Sequence, residues 1–223
     1  MKTLLLTGFD SKIGVIGRMT APHMLNYSVR HGIDFHCATQ FRTHSHPSWQ
    51  KLDFIMDAFS AGYQRVIWMD ADVVISAPRF TPWNVMSSGI HVSLDWSAEA
   101  ASDNEFSTGV MVVNNDAASV INCASSQRQS DKWTMETPAT TALQNSYRDE
   151  EEFRKRFTVH PRRILNAVPN YAAPSASVVE PWQPGDWICH VTNLALGERA
   201  RRIRVLLDKV EMANATRPAP NEH

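Results

Sequence analysis

The apolar positions of this chain alternate between runs of strand length and stretches of helical spacing. Residues 3–9 form an apolar run ending in Gly8 and Phe9, and the polar, glycine-containing DSKIGVIGRMT that follows predicts a loop over the strand's carboxyl end. Residues 21–31 predict a helix closed by Gly32, and IDFHCAT (33–39) a second short strand. From Ser48 onward Trp49, Leu52, Ile55, Met56 and Phe59 recur at helical spacing, with Ser48 as the expected cap and Gly62 as the stop.

The next stretch, RVIWMDADVVI (65–75), sets two aspartates inside an otherwise apolar segment. Residues 66–69 are uninterrupted apolar sequence after a helix, the pattern of a strand covered on both faces in an α/β sheet. IHVSLDW (90–96) and TGVMVVN (108–114) predict two more strands, joined by the polar segment 97–107. Residues 117–156 are mostly helical in pattern, with YRDEEEFRKRF (147–157) as a solvated helix or turn. The four prolines between 168 and 185 predict an irregular loop. DWICHV (186–191) reads as a last short strand and residues 196–213 as an amphipathic helix. In that helix Ile203, Leu206, Leu207 and Val210 turn inward and Arg199, Arg201, Arg202 and Arg204 face water. The expected organisation is one α/β domain over 1–212 and a disordered tail over 213–223.

Composition narrows the function classes. At 223 residues and 43% hydrophobic content the chain buries a substantial core and fits one domain better than two. Its 22 basic and 23 acidic side chains create no global field that draws it onto nucleic acid or an anionic membrane, so any polyanion must be gripped locally. Cys37, Cys123 and Cys189 are far apart, odd in number and without metal spacing, which argues for a reducing compartment. Thr7, Gly8 and Asp10 cut the opening apolar run, and no window approaches the roughly 20 apolar residues of a spanning helix. A soluble, cytoplasmic protein is expected.

Asp70 and Asp72 stand beyond the carboxyl end of the apolar strand, where ligands bind in open α/β sheets. Two carboxylates so close repel one another and lose hydration unless a cation is near, and a divalent metal removes both penalties. Oxygen ligands suit magnesium or manganese, with open positions left for the oxygens of a diphosphate. The bland reading of a bare Asp-x-Asp is a helix cap or salt-bridge partner in a loop.

The ordered blocks LNYSVRHGIDFH, PSWQKLDFIMDAF, WMDADVVI, STGVMVVNN, HPRRILNAVP and GDWICHVTN resemble the galactosyl-, mannosyl- and xylosyltransferase family of fungal Golgi and plant xyloglucan enzymes, and more loosely the glycogenin-like transferases. The likeness runs over about residues 25–204. It implies a GT-A (Rossmann-like) fold, a central mixed, mostly parallel sheet flanked by helices. It also implies transfer of a sugar from a nucleotide-diphosphate sugar to the hydroxyl of a glycan, glycolipid or glycoprotein, with retention at the anomeric carbon. On that resemblance Asp70, Ala71 and Asp72 form the metal-binding Asp-x-Asp, and His190 completes the metal site. The imidazole tilts the choice from Mg2+ toward Mn2+. Without the family, His190 reads as a satisfied core histidine.

The same resemblance places Thr7, Gly8 and Phe9 where base and ribose are received and aims Lys51 at the diphosphate. Asp95 and Asp103 (with Asn104) are candidates to face the donor sugar, Asp95 being the better placed. Trp83, Trp96 and Trp182 offer faces for sugar rings, though tryptophan is more often packing. Among Arg199, Arg201, Arg202 and Arg204, most simply the wet face of the last helix, one is a candidate to reach the phosphates, whereas His44 and His46 have no partner spacing that makes a site. Two departures stand out: METPATTALQ (135–144) lacks the family's acidic residue and glutamine, with Glu136 nearby and Gln144 late, and Asn193 stands where a His-x-x-Gly block has glycine. Competing readings are a haloacid-dehalogenase-type phosphatase with Asp70 as nucleophile and Asp72 as acid/base, and a nucleotide-sugar-binding protein without turnover.

Overall fold

The computed structural model of the chain describes residues 1–41, 46–95, 105–128, 138–170 and 180–215. In order they form β1 (Thr3–Gly8), α1 (Gly14–His31), β2 (Asp34–Ala38), α2 (Pro47–Ser60), β3 (Arg65–Met69), β4 (Val73–Ile75), β5 (Ile90–Leu94), β6 (Phe106–Asn114), α3 (Ala118–Ser126), α4 (Pro138–Asp149), α5 (Glu151–Arg154), β7 (Phe157–His160), α6 (Arg162–Leu165), β8 (Ile188–His190) and α7 (Leu196–Ala215). The main sheet has the order β2-β1-β3-β6-β5-β7. Strand β6 runs antiparallel to both β3 and β5, while β1 is parallel to β2 and β3, and β5 to β7. A single reversed strand therefore interrupts an otherwise parallel sheet, the mixed, mostly parallel architecture expected. A second, two-stranded sheet pairs β4 with β8.

Strand alternation sorts the core. Leu4, Leu6, Val66, Trp68, Met111 and Val113 face one layer with Trp49, Leu52, Ile55 and Phe59 of α2 and Val120 and Ile121 of α3. Leu5, Ile67, Met69, Val110 and Val112 face the other way, toward Met24 and Tyr27 of α1 and toward Val73, Ile75 and Ile188 of the small sheet. Both faces are buried, which is why these strands read as continuous apolar runs. The small sheet is itself two-sided: Val74 and Cys189 turn to a third cluster with Ile16 of α1 and Ile203 and Leu206 of α7.

The structure departs from the sequence reading in four places. The segment 10–20 is a loop only as far as Ile13, and α1 begins at Gly14. Gly17, in the stretch expected to be loop, lies inside the helix, where a Cβ would lie 2.0 Å from the Phe9 ring. Tertiary packing overrides the poor helix propensity of glycine. Helix α2 begins one residue before Ser48, and its cap is His46, whose side chain accepts from the Ser48 N–H. Strand β7 and helix α6 went unpredicted: each is only four residues long, and the edge strand FTVH alternates with only two clearly apolar residues. Finally, α7 continues to Ala215, past residue 212. The stop at Gly32 is as expected, in the left-handed conformation at φ 61°. The tail from 216 on, the loop residues 171–179, and Trp96, Asp103, Asn104, Glu136 and His44 lie outside the described residues.

Gly89 enters β5 at φ 73°, with the Arg156 carbonyl oxygen 2.2 Å from where a Cβ would stand. Because the obstacle is backbone immediately before β7, the strand that pairs with β5, it has little room to give. Gly89→Ala is expected to lower stability by about 2–3 kcal/mol in urea denaturation.

Candidate functional site

The carboxyl end of β3 is where the two sheets meet. The chain leaves the main sheet at Met69 and enters β4 at Val73, so Asp70, Ala71 and Asp72 form the crossing between them. The Asp70 N–H donates to the Gly109 carbonyl at 2.7 Å, extending the β3–β6 pairing, and Thr20 donates to the Ala71 carbonyl at 2.7 Å, tying the crossing to α1. On the other side the β4–β8 ladder pairs Val73 with His190, and Val191 N–H donates to the Asp72 carbonyl at 3.0 Å. That ladder brings a residue more than a hundred positions away against the aspartates.

Protein donors hold both carboxylates. Asp70 Oδ1 accepts from the Trp68 indole at 2.7 Å and from Lys51 Nζ at 3.1 Å, and Lys51 also donates to the Thr108 carbonyl at 3.1 Å. Asp72 Oδ2 accepts from Arg199 Nη1 at 3.1 Å, while Asp72 Oδ1 faces His190 Nε2 at 3.3 Å. His190 Nδ1 lies 2.9 Å from Asn166 Oδ1. The Asn166 amide nitrogen donates to the Leu94 carbonyl, which orients its oxygen to accept from Nδ1–H, so Nε2 is the nitrogen aimed at the carboxylates, donating to Asp72 here and open to a metal once its proton leaves. Gly109 makes room for that ring: a Cβ there would come within 2.3 Å of His190 Cε1.

Asp72 is 8% exposed and His190 6%. Burial by itself would raise the Asp72 carboxyl, yet the His190 and Arg199 charges outweigh it and hold the group below the usual carboxylate range. Burial would likewise lower the imidazole, and the Asp72 carboxylate outweighs that, keeping His190 above its ordinary value. One ligand atom from each of Asp70, Asp72 and His190 falls within 4.8 Å of the others, a cluster of two carboxylates and an imidazole. This donor set fits manganese or a similar divalent ion, with the histidine anchored behind by an amide as metal-binding histidines usually are.

The cluster lies in the wall of a cavity of about 540 Å³. Gly8, Phe9, Phe41, Lys51, Asp95, Thr108 and Thr140 also line it. The structure thus gathers Gly8, Phe9, Lys51, Asp70, Ala71, Asp72, Asp95 and His190 into one hollow. Thr7 is the exception: its hydroxyl is buried, has no hydrogen-bond partner among the described residues, and lies outside the cavity lining. Its side chain points into the sheet layer rather than toward a ligand, because strand alternation turns it away. Asp103 is outside the described residues, and Trp83 is core packing, its indole donating to Tyr27.

Sequence reasoning missed Thr140, Thr108 and the individual role of Arg199. Thr140 shares a 2.6 Å hydroxyl contact with Thr108, and Gln144, the late glutamine, donates to the Phe106 carbonyl instead of entering the cavity. The departure at Asn193 has a physical reading. Its φ is 56°, the left-handed conformation that glycine adopts freely and asparagine tolerates best among the other residues. The turn after His190 thus has a left-handed residue at Asn193.

Comparison with solved structures finds the same architecture elsewhere. A glycosyltransferase involved in the glycosylation of the major capsid of PBCV-1 matches 92% of this chain and 100% of its own at TM-score 0.72 and 17% identity. The galactosyltransferase LgtC, solved with donor and acceptor sugar analogs, matches 98% of each chain at TM-score 0.55 and 12% identity. A mutant of Drosophila beta1,4-galactosyltransferase 7, solved with manganese, UDP-Gal and xylobiose, matches 100% of this chain and 78% of its own at TM-score 0.52 and 15% identity. The fold is GT-A. No protein-family model and no curated protein matches the chain.

Replacing the amide behind the histidine tests the cluster. Asn166→Ala is expected to weaken Mn2+ binding by about 10- to 100-fold in isothermal titration; unchanged affinity would mean that the imidazole needs no such anchor.

Proposed function

We propose that this chain transfers a sugar from a nucleotide-diphosphate sugar to an acceptor hydroxyl on a glycan, glycolipid or glycoprotein, with retention at the anomeric carbon, as one catalytic domain over residues 1–212. The observation that carries the reading is the cluster of Asp70, Asp72 and His190 in the wall of this cavity of a GT-A chain. A divalent ion held there, Mn2+ before Mg2+, would supply positive charge to the departing diphosphate. By likeness to the neighbour solved with UDP-Gal and manganese, a uridine diphosphate sugar is the first donor to try.

The chain's own residues take the remaining parts. Gly8 and Phe9 in the cavity lining receive the base and ribose, glycine by permitting close approach and the ring by stacking. Lys51, buried and already shared between Asp70 and Thr108, lies beside the diphosphate, where an ammonium offsets charge. Asp95 ends β5 inside the cavity and faces the donor sugar, its backbone held by Glu105 and by the Arg162 guanidinium. A carboxylate there stabilises the positive charge that builds on the anomeric centre as the bond to phosphate lengthens. Asp103 is assigned to the same sugar-facing wall on sequence position alone. Water exclusion falls to the surrounding hydroxyl and aromatic lining.

A phosphatase of the haloacid-dehalogenase type would want its Asp-x-Asp after the first strand of the domain, whereas here the pair follows β3 and meets a histidine. A binding protein without turnover shares every feature of the site, and measurement separates it. No helix among the described residues is long and apolar enough to cross a membrane. A cytoplasmic location is part of this proposal.

The test is Mn2+-dependent release of nucleoside diphosphate from a panel of nucleotide sugars. Hydrolysis that stops with chelator and returns with Mn2+ is expected for the wild type. Asp72→Asn should abolish it, a loss of at least about 100-fold, with the circular dichroism spectrum unchanged. Nucleotide binding without release in every donor would favour the binding protein, and cleavage of a generic phosphomonoester the phosphatase.

A further inference from the structure

Arg199 occupies an unusual place for a cation. It sits in the first turn of α7, the end of a helix that disfavours positive charge. Its guanidinium is nonetheless drawn into the cavity wall, with Nη1 on Asp72 Oδ2 at 3.1 Å and Nη2 on the Leu194 carbonyl at 2.9 Å. Its Nε is buried and has no hydrogen-bond partner among the described residues, so the group retains an unspent donor. The neighbouring arginines behave differently: Arg201 and Arg202 pair with Glu198 on the outer side of the helix.

Lys51 and Trp68 hold Asp70 by Oδ1, and Arg199 holds Asp72 by Oδ2, so a protein cation already neutralises each acid of the cluster. Resting on the reading that this cavity takes a divalent ion together with a diphosphate, we propose that Arg199 couples the two. It is a positioning residue that opposes entry of the ion alone and favours entry of the ion with its diphosphate.

The argument is electrostatic. A guanidinium hydrogen-bonded to a metal-binding carboxylate repels a second cation at that carboxylate and competes for its electron density. The same guanidinium lines the cavity, where an incoming diphosphate adds negative charge that attracts it. One side chain therefore makes each ligand's binding depend on the other, which is coupling in the thermodynamic sense.

The experiment uses the whole chain, with Mn2+ followed by its electron paramagnetic resonance signal and inorganic pyrophosphate as the base-independent probe. In the wild type, pyrophosphate should tighten Mn2+ binding. Arg199→Met should bind Mn2+ alone more tightly and pyrophosphate in the presence of Mn2+ more weakly, each by about tenfold, within the range typical of coupled sites. Arg199→Lys, which keeps the charge, should fall between wild type and Arg199→Met in both measurements, and Arg201→Met should change neither. A merely structural Arg199 would let Asp72 drift and weaken both ligands together; that result, or no change in either, overturns the coupling. If the wild type binds neither Mn2+ nor pyrophosphate, the reading of the cavity itself fails, and the coupling with it.

Discussion

Asp72 is a carboxylate almost wholly removed from water at the point where the chain crosses from one sheet to another. Such a group persists in ionised form only where neighbouring charges and donors repay its lost hydration, and removing one partner from a buried pair costs about 3–5 kcal/mol. Here His190 meets one oxygen and Arg199 the other. The positions of β8, of the turn after it and of the first turn of α7 all answer to that requirement. Asp70, more open to the cavity, is met from the opposite side by Lys51 and the Trp68 indole.

Two backbone devices allow so many groups to converge. The antiparallel β4–β8 ladder carries His190 to the register opposite Val73, and the reversed strand β6 presents Gly109 under the imidazole. A side chain at that glycine would fill the space the ring occupies, so absence of a side chain is as much a part of the site as the ligands. Gly17 does the same for Phe9 in the cavity lining. Both glycines sit inside regular elements, where their low propensity would be a cost if no close contact required them.

The cavity has walls of different kinds. Its charged wall holds acids already balanced by cations, which makes it receptive to an ion and a polyanion together more than to either separately. Phe9 and Phe41 add aromatic faces to the lining, and Thr108, Thr140 and Asp95 add hydroxyls and a carboxylate.

Much of this was legible in the order of residues. The apolar strand runs, the Gly32 stop and the two acids Asp70 and Asp72 at a strand end follow from local pattern, because period and turn chemistry act over a few neighbours. His190 entered only through family resemblance; on its own it read as a core histidine, since nothing near it in the chain says that β8 pairs with β4. The short strand β7, the start of α1 at Gly14, the αL role of Asn193 and the part played by Thr140 were illegible for the same reason. What the sequence by itself determined is the set of elements and the acids at a strand end. Which distant side chains neutralise those acids, and which oxygens they leave open, only the tertiary structure decided, because electrostatic balance depends on separation in space and no local pattern encodes it.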